Sequence, residues 1–275
     1  MDHSRSIDKD TRLCISLAAR PSNHGTRFHN YLYNEFGLNF LYKAFTTTDL
    51  AAAIGGVRAL GIRGCSVSMP YKEECIQYLD VLHDSASAID SVNTIVNDDG
   101  RLHAYNTDYQ AVADLLRDNQ VPTDYSFAMT GSGGMAKAVV AALRDAGFRN
   151  GTVIARNAET GPALAELYGF AWQPALDGTT YDMLVNVTPI GMAGGPDESA
   201  MPFPAATIDA AKAVFDVVAK PAETPLINAA RQADKQVISG AAVIALQAAG
   251  QFELYTGLRP TEEQVQRASA YARAD

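Results

Sequence analysis

Three features of this chain are suited to chemistry: a lysine, a carboxylate and a glycine-rich turn. Lys72 closes the run Gly64-Cys65-Ser66-Val67-Ser68-Met69-Pro70-Tyr71-Lys72, Asp108 closes Asn106-Thr107-Asp108, and Gly131-Ser132-Gly133-Gly134 follows both. A lysine and a carboxylate that share a proton suit interconversion of an alcohol and a ketone, in which a hydride leaves carbon while a proton leaves oxygen. A nucleotide held by the glycines would take the hydride. Taken singly, Lys72 is an ordinary solvated amine and Asp108 an ordinary turn or cap residue. Their combination with the glycine turn implies an oxidoreductase.

The glycines need a strand before them and a helix after. Residues 125–130 read as the strand and 135–146 as an alanine-rich helix stopped by Gly147. In that setting Gly131-Ser132-Gly133-Gly134-Met135-Ala136 satisfies G-x-G-x-x-A, where missing side chains let the backbone approach a pyrophosphate at a helix N-terminus. A tight turn that needs glycine for its backbone angles alone is the competing reading. Strands expected at 152–155, 183–187 and 213–218, with helices at 160–168 and 224–235, give the order of a doubly wound nucleotide-binding domain. After the first of these strands, Ala155-Arg156-Asn157 lacks the acidic residue that would bind the ribose hydroxyls of NAD. Arg156 can pair instead with the extra phosphate of NADP. NADP is therefore expected ahead of NAD.

Before the glycine turn, strands are expected at 13–17, 40–45, 66–68, 94–96 and 102–105. Helices are expected at 49–60, behind a Thr48 or Asp49 cap, and at 73–79 after Pro70. The fold class is thus α/β with two domains. An N-terminal α/β substrate domain spans 1–109, a Rossmann-type NADP-binding domain spans 110–236, and a C-terminal helical segment, 237–275, opens with a long helix at 240–256. That segment is expected to return to the first domain, with the active site in the cleft between the two. The amides and hydroxyls of Asn93-Thr94 and Asn106-Thr107 suit a polyhydroxylated ligand. His24, His29 and His103 are possible proton shuttles, but with no acidic partner identified each reads first as structural or solvated.

Composition narrows the class. The chain has 275 residues, 47% hydrophobic and 19% charged, enough for two modest α/β domains. Its formal net charge of −9 disfavours a general nucleic-acid surface. The polar start lacks the apolar core of a signal peptide, and no run approaches the roughly 18 apolar residues of a membrane span. Cys14, Cys65 and Cys75 show no metal-ligand spacing and read as free thiols. These features point to a cytoplasmic enzyme, monomer or homodimer, whose partner is a small molecule, with no metal.

Across nearly its whole length the chain resembles the shikimate dehydrogenase family. Ser66-Val67-Ser68-Met69-Pro70-Tyr71-Lys72 resembles the family's N-V-T-x-P-x-K, and Ser91-Val92-Asn93-Thr94 and Asn106-Thr107-Asp108 resemble its V-N-T and N-T-D. Asn186-Val187-Thr188-Pro189-Ile190-Gly191-Met192 resembles its N-A-T-P-x-G-M, and Gln247-Ala248-Ala249 with Phe252-Glu253-Leu254 its final helix. The resemblance implies reversible NADP-linked interconversion of shikimate and 3-dehydroshikimate, with Lys72 and Asp108 catalytic. It implies substrate contacts at Ser68, Asn93, Asp108 and Gln247, and cofactor contacts at Gly131, Ser132, Gly133, Gly134, Met135, Ala136, Arg156 and Thr188. Asn23-His24-Gly25, read as a loop, departs from the family's S-x-S, so Asn23 and Gly25 stand where two serines would hold the substrate carboxylate. Ser66 replaces an asparagine, and Ala219 lies where a substrate-facing tyrosine is usual. Shikimate leads as substrate, with quinate or a related ring polyol acid behind it. An NADP-binding regulator with little turnover and an unrelated nucleotide-binding transferase are the competing classes.

Overall fold

The computed structural model describes residues 7–274, which form two compact units. One contains the residues up to Thr107 and those from Ala245 on; the other is the continuous stretch Asp108–Ile244. Among the described residues no helix is long and apolar enough to cross a membrane.

The first unit runs β1 (Arg12–Leu17), α1 (Asn23–Glu35), β2 (Phe40–Phe45), α2 (Leu50–Ala59), β3 (Gly64–Val67), α3 (Tyr71–Glu74), β4 (Val81–Leu82), α4 (Asp84–Ser87), β5 (Thr94–Asp98) and β6 (Arg101–Tyr105). Its sheet has the order β2-β1-β3-β5-β6-β4, with β5 antiparallel to both β3 and β6. Residues of β1 alternate between the two faces, as the strand period of two requires. Ile15 and Leu17 join Leu50, Ile54 and Val57 of α2 on one side. Cys14 joins Phe28, Leu32 and Tyr33 of α1 on the other. Asp49 starts α2 by accepting the Ala52 amide at 2.9 Å, a standard N-cap bond.

From α5 (Thr107–Asp118) the chain enters the second unit: β7 (Phe127–Thr130), α6 (Gly134–Ala146), β8 (Gly151–Ile154), α7 (Thr160–Tyr168), β9 (Ala171–Gln173), β10 (Met183–Asn186), α8 (Ala205–Ala210), β11 (Ala213–Asp216), α9 (Pro225–Gln232) and β12 (Gln236–Ser239). Every pairing in its sheet is parallel and the order is β12-β11-β10-β7-β8-β9. Counted within the sheet this is 3-2-1-4-5-6, the doubly wound dinucleotide-binding order, whose direction reverses between β7 and β10. Gly147 ends α6 in the left-handed region at φ 106°, the conformation glycine adopts without steric cost.

The chain closes with α10 (Gly240–Thr256) and α11 (Glu262–Arg273). Ala248, Phe252 and Tyr255 of α10 and Val265, Ala268 and Ala272 of α11 complete the core around Cys14, Phe28 and Tyr42. At Gly64, β3 lies so close to α10 that an added Cβ would sit 2.3 Å from the Tyr255 ring.

Several expected elements shift. The helix expected at 73–79 is α3 followed by a single 3-10 turn at Cys75–Tyr78. Asn23 and Gly25, expected in a loop, lie in the first turn of α1.

Candidate active site

In the first unit, Asn93 is the centre of a buried polar cluster. It is 3% exposed, and its Oδ1 accepts from the Thr94 hydroxyl at 2.7 Å, the Thr107 amide at 2.8 Å and the Thr107 hydroxyl at 3.1 Å. These three bonds saturate the oxygen, while Nδ2 donates to no atom of the described residues. From α10, Gln247 Nε2 donates to Thr107 Oγ1 at 3.3 Å. One helical turn on, Gln251 Nε2 lies within bonding distance of the Asn93 carbonyl at 3.2 Å, Thr94 Oγ1 at 3.0 Å and Ser66 Oγ at 3.3 Å. Ser66 stands beside the buried Tyr42 phenol, whose pKa burial raises. That phenol in turn lies 3.4 Å from where a side chain at Gly25 would begin. One run of polar groups therefore leads from Tyr42, beside Gly25, through Ser66, Gln251 and Asn93 to Thr107 and Gln247.

Gln251 is the member that sequence reasoning missed. Its signal was present, because residues four apart on a helix share a face and Gln247 had been singled out. Thr107, singled out only as a generic polar residue, is the hub that joins Asn93 to α10.

Lys72 lies in α3, half-buried, and its carbonyl accepts the Val92 amide at 2.8 Å. That bond anchors the lysine-bearing turn to the residue before Asn93. Ser68 is exposed just past the end of β3. Asp108 is in the first turn of α5, at the first position of the second unit, whereas Lys72 belongs to the first.

The second unit gathers the glycine turn, Arg156 and Thr188. Gly131 has φ 110°, and a Cβ there would meet Val187 Cγ2 at 3.0 Å and Thr188 Cγ2 at 3.1 Å. Backbone angle and packing both require this glycine. Neither applies at Gly133 or Gly134, which have no positive φ and no atom within 4 Å of an added Cβ. A tight turn thus accounts for Gly131 alone. What the other two glycines keep open is space at the N-terminus of the 13-residue α6, where amides and helix dipole suit a phosphate. The residues present therefore fit a dinucleotide. Ala136 takes a different part from its neighbours: its methyl is fully buried and its amide donates to the Gly133 carbonyl at 2.9 Å, so neither faces a ligand.

Arg156 is exposed two residues beyond β8. The adjoining loop is ordered by Asn157, whose Oδ1 accepts the amides of Glu159 and Thr160 at 2.9 Å each. Thr160 Oγ1 lies 2.7 Å from Ser132 Oγ, tying this loop to the glycine turn. Thr188, at the switch point, is fixed by a network beneath it. Asn186 Oδ1 accepts the Thr188 hydroxyl at 2.6 Å, and Asn186 Nδ2 donates to Asp216 Oδ1 at 3.0 Å. Asp216 is fully buried and accepts the Thr224 hydroxyl at 2.6 Å; burial raises its pKa. His29 is fully buried as well, with its imidazole pushed down to about 3 by burial, so it is not placed to shuttle protons with solvent.

A buried wall of amides and hydroxyls in one unit and a doubly wound nucleotide-binding fold in the other define a two-domain α/β protein of the dehydrogenase type. Residues 22–95 match the shikimate dehydrogenase substrate binding domain. A shikimate dehydrogenase-like protein of Haemophilus influenzae is 58% identical over 97% of this chain and 98% of its own length. The NADP(+) shikimate dehydrogenase of Pyrococcus abyssi is 34% identical over 92% of this chain and 96% of its own. Among solved structures, a shikimate 5-dehydrogenase-like protein superposes with a TM-score of 0.96 at 58% identity, covering 98% of this chain and all of its own. The Thermus thermophilus shikimate 5-dehydrogenase, in complex with NADP(H) and shikimate, does so with a TM-score of 0.82 at 30% identity, covering 95% and 99%. The chain belongs to the shikimate dehydrogenase family, a family of oxidoreductases.

Proposed function

We propose that this protein is an NADP-dependent dehydrogenase that interconverts shikimate and 3-dehydroshikimate. The observation that carries the reading is the polar wall of Asn93, Thr107, Gln247 and Gln251 in the unit that holds Lys72. With its oxygen saturated, Asn93 presents Nδ2 as a donor, which suits the hydroxyls of a polyol acid.

NADP, when bound, supplies the acceptor for the hydride of the alcohol carbon. Gly133 and Gly134 admit its pyrophosphate at the start of α6, Arg156 pairs with its ribose phosphate, and Thr188 holds the opposite side of the turn. Lys72 Nζ takes the hydroxyl proton during oxidation and returns it during reduction. Asp108 orients the lysine, bonds to a substrate hydroxyl and shares in passing the proton.

Gly25 favours a second reading at the level of substrate. It offers no side-chain donor to a carboxylate, and the Tyr42 hydroxyl stands over the place where such a donor would start. The carboxylate end is thus one place where this chain departs from its family, and quinate or a related ring acid is the alternative substrate.

Absorbance of NADPH on mixing the protein with NADP and either acid tests both readings. Lys72→Ala should keep NADP affinity while turnover falls about a hundredfold to ten-thousandfold, the usual cost of removing a general acid/base. Wild-type-like turnover in that folded variant would remove Lys72 from the reaction. NADP binding by wild type with no turnover of any ring acid would favour the regulator instead.

A further inference from the structure

His83 and His103 form a pair apart from the groups used above. His83 caps α4, His103 lies mid-strand in β6, and His83 Nε2 is 3.1 Å from His103 Nδ1. We propose that these two nitrogens form a binding site for a borderline transition-metal ion of the Zn²⁺, Cu²⁺ or Ni²⁺ class.

Four observations support the site. The first is spacing: two nitrogens bound to one tetrahedral zinc at about 2.0–2.1 Å are about 3.3–3.4 Å apart, so this pair needs to separate by roughly a few tenths of an ångström and to turn each ring until both lone pairs meet at the ion. The second lies on the far side of His103, where Nε2 is 4.0 Å from Asp98 Oδ2. That carboxylate also pairs with Arg63 and is too far for a hydrogen bond to His103, but its charge favours a proton on Nε2 and leaves Nδ1 as the lone pair facing His83. Binding then requires only that the proton shared between the rings move to His83 Nδ1, with both rings neutral.

The third observation is that the backbone already holds both residues side by side. The His83 amide donates to the Ala104 carbonyl at 3.0 Å, β4 pairs with β6, and the His83 ring stacks on Tyr105 at 4.1 Å and 11°. Little backbone freedom remains to be lost on binding. The fourth is access: the His103 side chain is 21% exposed, so an ion can reach the pair from solvent. By contrast Cys14, Cys65 and Cys75 are buried, with thiols whose pKa values burial raises. No third His, Cys, Asp or Glu joins the pair among the described residues, so water completes the coordination. Imidazole ligands favour zinc, copper and nickel, whereas magnesium and calcium prefer oxygen.

The site has a structural consequence. Ser85, two residues after His83, accepts the Asn106 amide on its hydroxyl at 3.0 Å. An ion bridging His83 and His103 would therefore brace the segment that leads into Thr107 and the polar wall.

The test uses tag-free full-length protein, stripped with chelator and titrated with ZnCl₂ by calorimetry, with CuCl₂ as a spectroscopic probe. One ion per chain should bind, the copper spectrum should show coupling to two nitrogens, and Tm should rise with zinc concentration. His83→Gln and His103→Gln, each first checked for an unchanged metal-free melt, should each weaken binding by at least about tenfold and abolish the two-nitrogen signature; even changes behind metal-bound histidines cost about 10–100-fold. Should either variant unfold, His103→Asn or His83→Asn replaces it in the same comparison. No stoichiometric binding by wild type, or binding by both variants equal to wild type, overturns the proposal.

Discussion

Arg156 illustrates how a single side chain can choose between cofactors. It is exposed, and the loop that carries it is tied to the glycine turn through Thr160 and Ser132. Arg156→Ala should weaken NADP far more than NAD, because only NADP carries the phosphate that a guanidinium pairs with. Titration of both cofactors checks this, and equal losses would move Arg156 out of the phosphate site. Gly25 sets a second test. It is helical, lacks a positive φ, and an added Cβ would make only ordinary contact with Tyr42 at 3.4 Å, so serine fits there without strain. Replacing Asn23 and Gly25 together by serine should lower KM for shikimate, with each new bond to the carboxylate contributing about 1.5–3 kcal/mol where geometry permits. Unchanged KM for both shikimate and quinate would mean that the start of α1 does not hold the carboxylate. Legibility at this scale followed the motifs. Lys72, Asn93, Gln247 and the glycines stand in recognisable runs and Gln251 follows from its spacing to Gln247, whereas Asp216 matters through Asn186, 30 residues away, which no local motif discloses.

At the scale of elements, caps and periodicity were the reliable signals. Strand β2 and helices α7 and α10 span the expected residues, and Asp49 and Thr224 each cap a helix by accepting a backbone amide. The misses have physical causes. A motif-based expectation of a binding loop concealed α1, and three-residue β9 is too short to show a period. Helix α5 was not anticipated either, and α11 was expected only as part of a helical segment without its own bounds, although Thr261 opens it with a full capping box. The contact of β3 with α10 gives one prediction. Gly64→Ala would force a methyl into the Tyr255 ring and should destabilise the protein by about 1–3 kcal/mol, the usual range for overpacking, measurable in urea melts. Helix α1 gives another through His29, stacked on Tyr42 at 4.5 Å with neither ring nitrogen hydrogen-bonded. The nearby Gln251 Nε2 faces the Ser66, Asn93 and Thr94 oxygens instead. The folded ring stays neutral down to about 3, while in the unfolded chain it takes a proton below its ordinary 6.5. The unfolded state therefore binds more protons between those values, and the stabilisation present above 6.5 is lost as pH falls through that window. His29→Phe should flatten this loss, which urea melts at neutral and acid pH would show; an unchanged slope would place the acid sensitivity elsewhere.

At the scale of the whole molecule, the doubly wound order of the second sheet was legible because strand, turn and helix signals alternate regularly there. The mixed first sheet was less so, since antiparallel β5 and β6 interrupt its alternation with helices. The division of the chain carries a further consequence. The first unit is built from both ends of the sequence and the second from one unbroken stretch. Chain ending at Ile244 would keep all of the second unit but lack Phe252, Tyr255, Val265, Ala268 and Ala272 from the first unit's core. In such a truncation the stretch 108–244 should resist limited proteolysis while the N-terminal stretch is digested; equal survival of both would show that the N-terminal stretch is stable without α10 and α11. On the ribosome the same arrangement sets an order of events. Residues that open the first unit emerge before the second unit exists, and at about 5–20 residues per second they wait roughly 10–45 seconds for Phe252 and Tyr255. Throughout that interval Phe28, Leu32 and Tyr33 face no partner from α10, so the part of the protein that is started first is finished last, and the nascent chain is most open to chaperone capture while its second half is being made.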